Sequence, residues 1–295
     1  MKKILILGVG SYIGVSFASY IKKKDTDGFS VWRTSLRTDE WRDMDWSCYD
    51  CVINVTGKAH ADIGAVTEEE KQSYYQVNCE LAYETAKKAI ADHVKQYIYF
   101  SSIIVYGDSS NSTKPVVISQ STKPNPSNFY GDSKWRAEQK LTKLFSDTGD
   151  SARLAIIRPP MIYGPGCKGN YRTLIKLAKK LPVFPDYRNR RSILYIGNLC
   201  EFLCCLIRTG EGGLFFPQNS EYASTSEIVA LLGERMQSRV RLLRILAPFA
   251  AAATRIPGKP GGMAKKAFGS LTYEKSMSNY MGGAYQKYSL RDSIK

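Results

Sequence analysis

No stretch of this 295-residue chain stays apolar for the length a bilayer-spanning helix needs, so an integral membrane segment is not expected. Histidine is nearly absent, with two in the whole chain. Without a clustered ligand pattern, this leaves no expected metal site. Low-complexity tracts and internal repeats are missing as well. Acidic residues are outnumbered, 27 against 42 Lys and Arg. The basic residues form no block interleaved with aromatics, so no nucleic-acid partner is expected. The seven cysteines fall at 48, 51, 79, 167, 200, 204 and 205, without a disulfide framework. An odd count, mostly inside apolar segments, fits reduced thiols and a cytoplasmic location. Cys48-Tyr49-Asp50-Cys51 has redox-motif spacing but leads into a strand instead of opening a helix, so it reads as ordinary apolar packing. The opening Met1-Lys2-Lys3-Ile4-Leu5-Ile6-Leu7-Gly8 starts like a signal peptide, yet its apolar run ends after four residues in a glycine turn. It reads as a buried first strand.

What the chain does have is a net charge of +15 and enough length for a large core. Small phosphorylated ligands explain the charge best, with a weak affinity for an anionic membrane surface as the second explanation. Apolar runs at residues 3–7, 29–34, 51–55, 97–100 and 154–157 alternate with helical patterns at 12–24, 68–93 and 130–145. Alternation of this kind predicts an α/β fold, a Rossmann-type doubly wound parallel sheet covered on both faces. After Pro160 the texture changes: Pro and Gly become frequent, and basic residues concentrate between Lys168 and Arg191. We expect a dinucleotide-binding domain over 1–160 and a smaller C-terminal, substrate-binding lobe over 161–295. The segment 192–210 is expected to pack back on the first domain. Ser224 and Glu227 form a capping box before a helix at 228–236. Residues 258–262 read as a Gly-rich loop. The 242–253 segment is apolar apart from Arg244 and reads as packing within the lobe in preference to a membrane-surface contact.

Three features carry the chemistry. Gly8-Val9-Gly10-Ser11-Tyr12-Ile13-Gly14 follows the first strand and opens a helix. Gly8, Gly10 and Gly14 allow a tight turn, close approach of backbone to phosphate and packing on the sheet. The N–H groups of the turn and the helix start face a pyrophosphate. At the end of the second strand, Arg33-Thr34-Ser35-Leu36-Arg37 offers no carboxylate before Asp39. Ser35 and Arg37, with Arg33 as a helper, suit a ribose 2′-phosphate, which favours NADP(H) over NAD. Finally, Tyr130-Gly131-Asp132-Ser133-Lys134 places a phenol and an ammonium one helical turn apart. A cation about 4 Å away at an effective dielectric near 20 favours a phenolate by about 4 kcal/mol. That is roughly three pKa units, enough to bring a phenol near neutrality. His60, after the third strand, is an equally good candidate for a sugar contact and for an ordinary loop residue.

With these motifs in hand the chain resembles the extended short-chain dehydrogenase/reductases, and among them the NAD-dependent epimerase/dehydratase group acting on nucleotide-linked sugars. In Val52-Ile53-Asn54-Val55-Thr56-Gly57 the resemblance places Thr56 and Gly57 at the cofactor. It makes Asn78 the residue that steadies the sheet, and Ser102, before Val105-Tyr106-Gly107, the catalytic hydroxyl beside Tyr130 and Lys134. Arg158-Pro159-Pro160-Met161 matches the segment at the nicotinamide, with Pro159 on the cofactor side and Met161 on the substrate side. Asn170 and Arg191 match the residues that hold the sugar-nucleotide.

Three departures shape the expected activity. Ser11 stands where the family has its middle glycine. Ser102-Ile103-Ile104 replaces the Thr-Asp-Glu of sugar dehydratases, which removes the acid pair for eliminating water. The C-terminus lacks the late Arg-Pro-Gly-Asp segment of typical 4-epimerases. The resemblance therefore implies NADP(H)-dependent reduction of a 4-keto nucleotide-sugar, such as a UDP-linked 6-deoxy-N-acetylhexosamine for bacterial surface polysaccharide. NAD-dependent UDP-hexose 4-epimerisation is the alternative, and a non-catalytic dinucleotide sensor the third reading. A homodimer is the expected assembly.

Overall fold

The computed structural model describes residues 1–24, 28–59, 66–107, 114–147, 149, 152–256 and 258–294. The chain opens with β1 (Lys2–Leu7), α1 (Tyr12–Lys24), β2 (Phe29–Thr34), α2 (Glu40–Asp43) and β3 (Cys51–Asn54). Next come α3 (Glu68–Tyr75), α4 (Leu81–Ala91), β4 (Gln96–Phe100), β5 (Val116–Ile118), α5 (Phe129–Ser146) and β6 (Arg153–Ile157). Then follow β7 (Met161–Tyr163), α6 (Asn170–Lys180), β8 (Val183–Pro185), β9 (Ile193–Tyr195), α7 (Ile196–Thr209) and β10 (Gly213–Phe215). The remainder is α8 (Thr225–Arg235), β11 (Arg241–Leu243), α9 (Ala247–Ala253), α10 (Gly258–Phe268), β12 (Leu271–Tyr273) and α11 (Leu290–Ser293).

These elements divide into two compact units. Residues 1–105, 124–159 and 200–216 make the first; residues 106–123, 160–199 and 217–295 make the second. The division differs from the expected one, a boundary at residue 160 with 192–210 returning to the first domain. Residues 106–123 join the second unit because β5 pairs with β12. The returning segment is 200–216 and not 192–210, and the boundary falls inside α7.

The first unit is built on one six-stranded parallel sheet in the order β10-β6-β4-β3-β1-β2. The strand order reverses next to β1, so the crevice at the carboxyl ends of β1 and β3 is a topological switch point, the usual ligand site of open α/β sheets. Register brings Leu7 beside both Thr34 and Asn54, Asn54 beside Tyr99, and Phe100 beside Ile157. The chain therefore leaves five strands along one edge, at Gly8, Ser35, Val55, Ser101 and Arg158. Ile4, Leu5, Ile6 and Leu7 are fully buried, so the opening segment is the central strand its apolar run predicts.

The continuous helix read over 68–93 is interrupted by a π-turn at Gln76–Glu80. Such a bulge inserts one residue without breaking the helix, and hydrophobic periodicity does not register it. Here it turns Asn78 inward, where Nδ2 donates to the Lys58 carbonyl at 3.1 Å and to Ser133 Oγ at 3.0 Å.

The second unit has its own core, with Tyr163, Leu174, Ile193, Ile228 and Leu232 at its centre. The Ser224 and Glu227 capping box forms at the start of α8. A buried amide, Asn219, ties the unit's segments together. Its Oδ1 accepts from the Tyr195 N–H at 2.9 Å and from Asn198 Nδ2 at 3.0 Å, while its Nδ2 donates to Tyr163 Oη at 2.9 Å. Two expectations are corrected here. Residues 258–262 are not a loop but the first turns of α10. The 242–253 segment is not fully packed inward, since Ile245 and Phe249 are among the most exposed large apolar residues of the chain. Among the described residues no helix is long and apolar enough to cross a membrane.

Candidate active site

Three distant motifs of the first unit meet at the switch-point edge. At the end of β1, Gly8 takes φ +116°, a conformation L side chains rarely adopt, and its N–H donates to the Thr34 carbonyl at 2.9 Å. A Cβ on Gly8 would stand 3.1 Å from Thr56 Oγ1, and one on Gly14 would stand 2.9 Å from Ile6 Cγ2. Gly10, in contrast, has nothing within 4 Å of a built Cβ, so its backbone faces open space. Thr56 is fixed from both sides. Its N–H donates to Asn54 Oδ1 at 2.9 Å and its hydroxyl to the Leu7 carbonyl at 3.0 Å. Ser11 takes the middle-glycine position and puts its Oγ 3.5 Å from the Gly14 N–H, at the first turn of α1, where Tyr12 and Ile13 are half-buried.

Beside this turn stands the end of β2. Arg33 Nη1 donates to the Val9 carbonyl at 3.2 Å, which holds a guanidinium against the glycine turn. Ser35 Oγ accepts from the Arg37 N–H at 3.1 Å, and both arginines are exposed. Asp39, the first carboxylate after the strand, is occupied by Arg42 at 2.9 Å.

The third motif sits on α5. Asn128 caps the helix by accepting from the Gly131 N–H at 2.9 Å. Gly131 lies so close to the turn after β4 that a Cβ would stand 2.8 Å from the Ile104 carbonyl oxygen. This contact brings Tyr130 beside Ser102, whose side chain draws the phenol's pKa down. Lys134, one turn on, is buried. Its Nζ donates to the Phe100 carbonyl at 2.8 Å and lies 4.8 Å from the centre of the Tyr99 ring. A Cβ on Gly57 would stand 3.1 Å from Lys134 Nζ and 3.1 Å from Asn78 Oδ1. The absence of a side chain at Gly57 thus leaves room above the ammonium, beside the glycine turn.

The electrostatics depart from the simple pairing expected of a phenol and an ammonium. Burial pushes the Tyr130 phenol above its ordinary value, the Ser102 hydrogen bond pulls it back, and Tyr74 adds a small upward push. Burial also pulls the Lys134 ammonium down to about 8, while Glu138 opposes that shift. Lys134 is directed at Phe100, so in the free protein Ser102 is the group that lowers the phenol.

Glu138 and Ser101 are not among the sequence candidates for the site, and Arg158 enters there only within the segment at the nicotinamide. Glu138 accepts from Ser101 Oγ and from Arg158 Nε at 3.0 and 3.1 Å, and all three residues are buried. The one signal in the sequence is that Glu138 falls four residues after Lys134. Pro159, next to Arg158, accepts from the Ile103 N–H at 3.0 Å and so ties the end of β6 to the turn carrying Ser102.

The other candidates fall outside the described first-unit residues. His60 is outside the described residues. Met161 begins β7, exposed Asn170 begins α6, and Arg191 bridges Ala223 and Leu271 while its Nη1 donates to the Lys266 carbonyl; all three belong to the second unit.

The model of the NAD dependent epimerase/dehydratase family matches residues 4–215, more than half of the chain. The chain belongs to this family. Its members are NAD(P)-dependent oxidoreductases and epimerases of the extended short-chain type, acting on nucleotide-sugars. Within the family, the chain is 32% identical to the UDP-glucose 4-epimerase of Vibrio cholerae over 248 residues, 77% of this chain and 74% of that protein. It is 28% identical over 170 residues to the N-acetyl-alpha-D-glucosaminyl-diphospho-ditrans,octacis-undecaprenol 4-epimerase of Escherichia coli O157:H7. That match covers 57% of this chain and about half, 48%, of that protein. The fold also superposes on the dTDP-4-dehydrorhamnose reductase of Bacillus anthracis, solved with NADP. The TM-score is 0.72 at 17% identity, covering 100% of this chain and 97% of that one. The residues of the first unit fit a dinucleotide: open space at Gly10, a side-chain-free cradle at Gly57 over Lys134, and cations at the end of β2.

Proposed function

We propose that the chain acts at C4 of a diphosphate-linked hexose, taking a nucleotide-sugar through its 4-keto form and back as a 4-epimerase. The observation that carries this reading is that Lys134, one helical turn after Tyr130 on α5, is buried and held by the Phe100 carbonyl at 2.8 Å, two residues before Ser102, on the edge where the glycine turn leaves β1. A bound nicotinamide dinucleotide supplies the site with a reversible hydride acceptor. Tyr130 takes the proton from the sugar O4 as the carbonyl forms and returns it when the alcohol is restored. Ser102 donates a hydrogen bond to the same oxygen while negative charge sits on it. Lys134 supplies a positive charge one helical turn from the phenol, and Phe100 fixes its direction. Both named 4-epimerase relatives favour this reading over the reductive one.

The second reading is NADP(H)-dependent reduction of a 4-keto nucleotide-sugar. Arg33, Ser35 and Arg37, with Asp39 withdrawn onto Arg42, favour it because they suit a 2′-phosphate. Proton NMR of UDP-glucose and UDP-N-acetylglucosamine incubated with the protein and NAD separates the two. Epimerisation gives the C4 epimer without net change in the nicotinamide absorbance. If neither sugar epimerises and NADPH is consumed with a 4-keto sugar, the reductive reading holds; if neither reaction occurs, both fall.

A further inference from the structure

We propose that the α9–α10 face of the second unit docks on an anionic lipid surface. This rests on charge and exposure alone and is independent of the reaction at the site. Residues 235–273 hold eight Lys or Arg and not one Asp or Glu, so this short segment carries more than half of the chain's net +15. The same segment exposes large apolar side chains. Ile245 is 75% exposed, Phe249 69%, Ile256 51% and Met263 73%. Arg241, Arg244, Arg255 and Lys266 are exposed among them. The Arg244 guanidinium meets Asp186 at 3.4 Å and remains largely in water.

Both chemistries sit on one short helix pair. Ala250 is buried on one side of α9 while Phe249 and Ala252 look outward. A Cβ on Gly261 would fall 1.6 Å from the Ile256 carbonyl oxygen, so only glycine lets α10 fold back tightly on the end of α9. Folding back keeps Ile256 and Met263 in one helix pair with Phe249. Large apolar side chains exposed together mark an interaction site where they form one contiguous patch. Aliphatic and phenyl groups interspersed in sequence with cations match a layer that is anionic outside and hydrocarbon beneath, as at a phospholipid bilayer. Nucleic acid would call for stacking aromatics between the cations, and Phe249 is the one exposed aromatic on this face.

Vesicle flotation of the full chain tests the assignment. Phosphatidylcholine vesicles containing phosphatidylglycerol are expected to carry the protein, while pure phosphatidylcholine vesicles leave it behind. Arg255→Glu with Lys266→Glu should weaken binding by at least about fivefold per residue, the factor corresponding to ~1 kcal/mol per basic side chain at such a surface. Ile245→Asp with Phe249→Asp should release the protein even at low salt, with an unchanged melting transition and unchanged turnover of a soluble nucleotide-sugar. The assignment is overturned if the wild type ignores anionic vesicles or binds neutral ones equally. It is also overturned if the Ile245/Phe249 variant floats like the wild type, since binding would then be charge alone. A halved mass of that variant by light scattering, with no vesicle binding by the wild type, would make the face a contact between copies and overturn it too.

Discussion

Glu138 and Arg158 face each other inside the first unit, with Arg158 Nε 3.0 Å from one carboxylate oxygen and 3.1 Å from the other, both side chains sealed from solvent. The same carboxylate accepts from Ser101. Ser101 lies between Phe100, whose carbonyl holds Lys134, and Ser102, which lowers the Tyr130 phenol. One buried acid thus fixes the short segment on which both ends of the proton-handling pair depend. Arg158 also lies over the Trp135 ring, 5.5 Å from its centre.

Glu138→Gln therefore strands a buried guanidinium. We expect a loss of about 3–5 kcal/mol in urea unfolding, because removing one partner of a buried pair leaves the other uncompensated. Replacing both, Glu138→Met with Arg158→Met, should recover most of the stability without restoring turnover, since Ser101 has then lost its acceptor. Full activity in the double variant would show that the pair has no part in positioning Ser102.

Lys134 sets the pH response. Its value in the folded chain, about 8, lies below its ordinary 10.5. Between those values the unfolded chain binds more protons, so the Lys134 contribution to stability rises with pH across that window and is lost as pH falls through about 8. Activity that needs the ammonium moves the opposite way and declines as pH rises through about 8. Glu138 holds the ammonium up, so Glu138→Gln should move the descending limb of kcat/KM to lower pH. A limb that stays in place in that variant would separate Lys134 from the rate.

Much of this site was legible because its motifs are local. The glycine turn, Tyr130, Lys134 and Ser102 each announce themselves within a few residues, and alternating strands and helices bring their ends to one edge. The Glu138–Arg158 pair was not legible, because it depends on the side of α5 that meets the end of β6, a matter of packing and not of spacing. The π-turn at Asn78 hid for a related reason: one inserted residue leaves the helical pattern on either side intact. Residues 258–262 misled through composition. Glycine costs about 1 kcal/mol in a helix, but here Gly261 is required by the closeness of Ile256, and tertiary contact prevails over propensity.

Gly131→Ala separates helix propensity from site geometry. Alanine is the better helix former by about 1 kcal/mol. Yet its Cβ would stand 2.8 Å from the Ile104 carbonyl oxygen and 3.0 Å from Pro126 Cβ. Overpacking of this kind costs about 1–3 kcal/mol, so the clash prevails and the melting temperature falls. The start of α5 must shift away from Ser102. A misplacement of about 1 Å can cost on the order of 10²-fold in rate. The loss should appear in kcat while the dinucleotide affinity, measured by NADPH fluorescence, changes little. A stabilised and fully active variant would mean that the contact with Ile104 does not position Tyr130.

The end of β2 gives the cofactor prediction. Arg33 is held against the glycine turn through the Val9 carbonyl, and Arg37 is tethered through its N–H to Ser35. Asp39, the first carboxylate after the strand, is held by Arg42. A ribose 2′-phosphate gains charge-assisted hydrogen bonds from such groups, each worth about 1.5–3 kcal/mol. Arg37→Glu with Ser35→Ala should therefore weaken NADPH by about 10–100-fold, the range those energies imply. NADH lacks the phosphate and should bind as before or more tightly. Titration of both coenzymes against wild type and variant reads this directly. Equal loss for the two would mean that the arginines act only on overall charge. Tighter binding of NADH than NADPH by the wild type would assign the site to the unphosphorylated coenzyme, remove the ground for the reductive reading and leave the proposed 4-epimerase.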